Sequence, residues 1–149
     1  MNRAEIIARI VNEEANFLMI VTMYKGNPSN LELISPEGET WATINMESAI
    51  LRREVLKIQS PRINSIYSVE VKEDSTRQTT ELAHLIGSLL DTDVIESTSV
   101  KQASIKSSAI IWFQDLNQGK TLWTYYHAFD GIEIGPRICV KSLIRSSKK

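Results

Sequence analysis

His127 and Cys139 share one run, WTYYHAFDGIEIGPRIC, near the end of a 149-residue chain. A thiol within hydrogen-bond reach of an imidazole would make an activated nucleophile. Asp130-Gly131 sits between two alternating runs, and such a dipeptide predicts a two-residue type I′ turn, which needs positive φ at both central positions. That turn fixes a register. Phe129 faces Ile132, His127 faces Ile134, Tyr126 faces Gly135 and Tyr125 faces Pro136. Side chains alternate along strands, so Trp123, Tyr125, His127, Phe129, Ile132, Ile134, Pro136 and Ile138 share a core face. Leu122, Thr124, Tyr126, Ala128, Glu133, Gly135, Arg137 and Cys139 share the other. The thiol and the imidazole thus leave opposite faces, which speaks against a nucleophile pair. Cys139 reads as a small buried apolar residue. His127 reads as a core histidine with one hydrogen bond. The other reading of His127 is a pocket lined with Tyr125, Trp123 and Asp130, in a small enzyme or ligand-binding domain.

The mixed face offers a different chemistry. Tyr126 lies between Glu133 and Arg137, with Thr124 beside it, and Tyr and Arg are favoured interface anchors. The ring of Tyr126 is expected to cover the bare backbone of Gly135. Pro136 has no amide hydrogen to give a ladder, so residues 132–140 are expected at a sheet edge for part of their length. An edge beside a Tyr/Glu/Arg face is a place for another protein chain, or a second copy, to dock.

Other chemistry is thin. His84 falls on the polar side of a predicted helix. Two histidines and one cysteine far apart give no zinc spacing. Asp91, Asp93 and Glu96 lack the glycine-shaped loop of a calcium site. The six glycines form neither a Gly-x-Gly-x-x-Gly run nor a Walker loop. No cofactor and no metal are expected, and no catalytic constellation is visible in the order of residues. A small non-enzymatic protein-binding module, such as an adaptor, inhibitor, immunity-type or regulatory subunit, is the favoured reading.

Composition bounds the class. Hydrophobic residues make up 42% and charged residues 23%, a globular balance, and the net charge of −1 gives no field toward nucleic acid or membrane. The one basic cluster is the tail with Lys141, Arg145, Lys148 and Lys149, and residues 144–149 read as a frayed terminus. Nucleic acid is therefore not an expected partner, a basic-tail accessory role being the alternative. A lone cysteine makes no disulfide framework. The longest apolar run, FLMIV, is too short for a bilayer. Cytoplasmic placement is the default.

The elements that must position these residues follow from periodicity and turn chemistry. A helix is predicted over 2–15 from Asn2, Glu5 and the face Ile6, Ile7, Ile10, Val11, then a buried strand at 17–24 and a loop at KGNPSN. LELIS and TWATIN flank PEGE as a hairpin, residues 46–58 fit helix or strand, and INSIYSVEVK reads as a strand. Ser75 and Gln78 suit a capping box ahead of a helix with Leu82, Leu85, Ile86 and Leu89. The remainder reads as β. LELISPEGETW followed by VLKIQSPRINSIYSVEV looks like the β-sandwich modules that accompany von Willebrand factor A domains. That resemblance implies a sandwich over about the first 72 residues and no function. GETWAT and GKTLWT begin alike, which suggests two α-β-β-β units packed together. The expectation is one α+β domain over 1–149, mainly antiparallel, with two or three helices.

Overall fold

The computed structural model describes residues 17–25, 27–50 and 61–145. They form a mixed α+β fold of eight strands, mostly antiparallel, with one α-helix among the described residues. The predicted helix over 2–15 and the ambiguous stretch beyond residue 50 lie outside them; residues 46–50 are strand. Contacts divide the chain into two compact units, Met1–Met46 with Ser142–Lys149, and Glu47–Lys141.

In the first unit β1 (Leu18–Tyr24), β2 (Asn27–Ile34) and the start of β3 (Thr40–Ile50) pair antiparallel. The PEGE hairpin forms as predicted. Gly38 takes φ 92, which favours glycine, and its N–H donates to the Ser35 carbonyl at 3.0 Å. The register sets Leu31 opposite Ile44 and Leu33 opposite Ala42, and all four are buried, as a period of two demands. Two expectations fail here. Asn27 to Asn30 are strand rather than loop, since the register slips between Thr22 and Met23 and Pro28 pairs at that bulge, where its missing N–H costs nothing. The apolar run before them is not a buried strand: Met19, Val21, Met23 and Tyr24 are exposed.

The second unit holds β4 (Ser65–Lys72), α1 (Arg77–Leu89), β5 (Val94–Ser97), β6 (Ser108–Asp115), β7 (Thr121–His127) and the start of β8 (Arg137–Arg145). β6, β7 and β8 are antiparallel neighbours, but β4 pairs parallel with both β5 and β6. Parallel neighbours need a crossover, and α1 supplies it between β4 and β5. This parallel pairing corrects the sandwich expected for the first part of the chain. β8 continues to Arg145, so residues 144 and 145 of the expected frayed tail are strand, and residues 146–149 lie outside the described residues.

α1 buries Leu82, Ala83, Leu85 and Ile86, and it packs on β4, β6, β5 and β7. Its N-cap is Thr76, one residue after the predicted Ser75. Asp115, at the end of β6, explains the difference. Its carboxylate accepts the Thr76 N–H at 2.9 Å and the hydroxyls of Thr76 and Thr79 at 2.9 and 2.6 Å. Gln78 reaches away to the Gly119 carbonyl and the Thr121 hydroxyl, both at 3.2 Å. At the other end of α1, a Cβ on Gly87 would lie 2.7 Å from a Val94 methyl and 2.8 Å from the Thr92 carbonyl, so glycine lets helix and strand approach. Behind α1, Phe113 and Trp123 stack with centroids 5.8 Å apart.

Candidate functional site

The β7–β8 hairpin exists, and its open end has the predicted register: Thr121 pairs with Val140, Leu122 with Cys139, Trp123 with Ile138. The tip does not. Tyr126 faces Glu133 rather than Gly135. The reversal is wider than two residues: the Gly131 N–H donates to the His127 carbonyl and the His127 N–H to the Ile132 carbonyl, each at 2.8 Å. Asp130 Oδ1 accepts the Ile132 N–H at 3.0 Å, an Asx-type closure. The slip of two is absorbed at residues 134–136, where Tyr125 accepts from both Ile134 (2.9 Å) and Gly135 (3.2 Å), with Gly135 at φ 70. Pro136 sits at this bulge. A slip of two leaves the faces of paired strand residues unchanged, so the predicted sorting survives along β7 and β8 and fails only in the turn. Phe129 and Ile132, expected in the core, are exposed, whereas Ala128, expected on the mixed face, is buried.

The edge expectation also fails from Arg137 onward. β8 has β7 on one side and β3 on the other in the strand order. Asn45 donates to the Ser142 hydroxyl at 2.8 Å.

The Tyr126, Glu133, Arg137 and Thr124 cluster does assemble. Arg137 forks onto Glu133, with Nε 2.8 Å from Oε2 and Nη2 2.6 Å from Oε1. The Thr124 hydroxyl donates to the same Oε2 at 2.5 Å. Thr124 is fully buried, so it orients Glu133 and presents nothing outward. The Arg137 guanidinium holds the Glu133 carboxyl below its ordinary value; burial opposes this and the Thr124 hydroxyl assists. Glu133 raises Arg137 in return. Burial lifts the Tyr126 hydroxyl, the Glu133 charge adds to it, and Arg137 offsets part.

Of His127, Asp130, Tyr125 and Trp123, the structure brings the first two together. His127 Nε2 lies 2.7 Å from the Lys106 carbonyl and Nδ1 lies 3.2 Å from Asp130 Oδ1. A carbonyl only accepts, so Nε2 carries a proton. Burial raises the Tyr125 hydroxyl while Trp123, stacked on Phe113, pulls it partly back. A surface depression of about 450 Å³ lies elsewhere, at the junction of α1 and β5, lined by His84, Ser88, Asp91, Thr92 and Asp93.

Cys139 is half-buried rather than buried. Its thiol lies 3.4 Å from Glu47 Oε2, to which Lys120 Nζ closes at 2.6 Å. Burial and then Glu47 raise the thiol. His127 and Cys139 therefore have separate partners. Among the described residues no three His, Cys, Asp or Glu side chains gather to hold a metal, and no helix is long and apolar enough to cross a membrane.

Three features escaped the sequence: the Asp115 cap, the Glu47–Lys120 pair, and Glu70. Glu70 is buried, accepting the Ser68 hydroxyl at 2.8 Å and the Lys101 N–H at 3.3 Å. Ser68 lies two residues from Glu70 on one strand face, a local signal that was available. The other partners lie dozens of residues away and leave no local pattern.

No family model matches the chain, and no curated protein matches it. Solved structures do. A probable ribosomal biogenesis protein from Aeropyrum pernix K1 matches with a TM-score of 0.65 at 15% identity, covering 99% of this chain and 78% of that one. Mil, an archaeal Imp4-like protein, matches with a TM-score of 0.60 at 13% identity, covering 98% and 78%. The likeness is one of fold. The expectation that nucleic acid is not a partner finds no support in these likenesses.

Proposed function

We propose that this chain is a non-catalytic binding module of RNA–protein assembly, with RNA as its ligand and the β7–β8 hairpin as its working surface. One observation carries the reading: the likeness of fold, over nearly the whole chain, to a probable ribosomal biogenesis protein and to an archaeal Imp4-like protein. The hairpin chemistry agrees with binding rather than turnover. Glu133 is occupied by Arg137 and Thr124, and His127 by a backbone carbonyl and Asp130. In this reading Tyr126 and Arg137 supply contact atoms, while Glu133 and Thr124 orient them. His127 and Asp130 hold the turn.

The test is fluorescence anisotropy with labelled ribosomal RNA fragments at low salt. Saturable binding is expected, weakened roughly tenfold by Arg137→Gln through loss of a phosphate contact. A flat titration with every fragment contradicts the reading. Binding to another protein chain with no response to RNA would return the hairpin to a protein-docking role.

A further inference from the structure

Phe129 and Ile132 flank an Asp-Gly turn, where polar residues ordinarily sit, and they are 42% and 50% exposed. Ile105, the sequence neighbour of Lys106, is 41% exposed. Large apolar side chains held in water contribute little to the fold, so grouped exposure points to contact with something else.

The tip that carries them is firmly anchored. Ala103 N–H donates to the Ala128 carbonyl at 2.7 Å, and Ala128 N–H donates to the Ser108 carbonyl at 2.9 Å. His127 grips the Lys106 carbonyl at 2.7 Å. These bonds tie the segment before β6 to the turn. They set Lys106 Nζ 5.2 Å from the Phe129 ring centroid, with the His127 ring tilted at 47° and 6.1 Å from it.

Charge selects the occupant. Lys101 and Lys106 are exposed in the same segment. The carboxylate of the turn, Asp130, is engaged by the Ile132 N–H and by His127. An exposed aromatic ring with cations beside it is how proteins hold unstacked bases: the ring takes the base and the cations take the phosphates. A lysine already resting over the ring shows that the ring accepts a partner. Its long chain can leave the ring to a base and move its charge to a phosphate.

We propose that single-stranded RNA is held here, an unstacked base on Phe129 and the adjoining phosphate on Lys106. The proposal rests on the RNA reading above and adds to its hairpin surface a base-stacking contact at the tip.

The experiment titrates wild type, Phe129→Leu, Phe129→Tyr and Lys106→Gln with a labelled single-stranded RNA and with a duplex of equal length. Leucine keeps bulk and removes the stacking face, and Phe129 is already exposed, so equal melting temperatures are expected. Phe129→Leu should weaken single-strand binding about five- to a hundredfold, and Phe129→Tyr should keep it. Lys106→Gln should flatten the salt dependence by about 0.7 in log–log slope. Wild-type binding that neither Phe129→Leu nor Lys106→Gln weakens overturns the site and leaves the module reading standing. Equal affinity for the duplex overturns the base-stacking contact. A wild type that binds no RNA overturns both.

Discussion

At Glu133 two carboxylate oxygens meet three donors, two from Arg137 and one from Thr124. The sequence put these residues on one face, and the slip of two at the tip preserved that. What it missed is that Glu133 is consumed in binding its neighbours. Glu133→Gln breaks the charged fork and should cost about 1 kcal/mol, since the pair is only partly buried. The pH dependence has a definite sign. The folded carboxyl lies below its ordinary value, so its stabilisation is complete above the unfolded glutamate range and is lost as pH falls through the folded value. Urea midpoints between neutral and strongly acidic pH should therefore fall less in Glu133→Gln than in wild type; parallel curves would contradict this. Glu70 shows the opposite limit of sequence reading. Strand alternation placed Ser68 and Glu70 together, but a glutamate reads as solvent-facing. Burial with the Ser68 hydroxyl and the Lys101 amide is tertiary information.

Among elements, α1 was the most legible, because four apolar residues at helical spacing must face a core. Its start moved by one residue since the decisive partner, Asp115, lies on β6. Burial works against the Asp115 charge, but hydrogen bonds from Thr79 and Thr76 outweigh it and hold the carboxyl below its ordinary value. Asp115→Ala should therefore cost about 1–2 kcal/mol, the range of a lost N-cap. It should speed amide exchange at Thr76 and along the first turn of α1 while leaving the Leu85 and Ile86 amides as slow as the lowered global stability allows. Unchanged exchange at Thr76 would contradict the capping role. The hairpins were legible from PEGE and Asp-Gly, because turn residues act locally. The parallel pairing of β4 was not. SVEV alternates like a half-buried antiparallel strand, and only the α1 crossover determines which neighbours it takes. The tip register was lost for a related reason: Asp-Gly fixes a reversal, but the bulge at residues 134–136 fixes how many residues it spends.

For the whole molecule, mixed α+β class was readable from alternating helical and strand periods, and the GETWAT and GKTLWT openings do begin β3 and β7. The partner was not readable. Net charge averages over the chain, whereas binding depends on where charges lie, and Lys106 reaches Phe129 only when the segment before β6 meets the hairpin tip. The central claim is that the chain binds RNA through phosphate contacts and base stacking. Its most direct test is the affinity of the wild-type chain for a single-stranded ribosomal RNA fragment, measured across a series of salt concentrations. A falling line of log affinity against log salt is expected, with a slope of about −0.7 for each phosphate contacted, and residual binding at high salt from stacking. An affinity indifferent to salt, or no binding at the lowest salt, would contradict it.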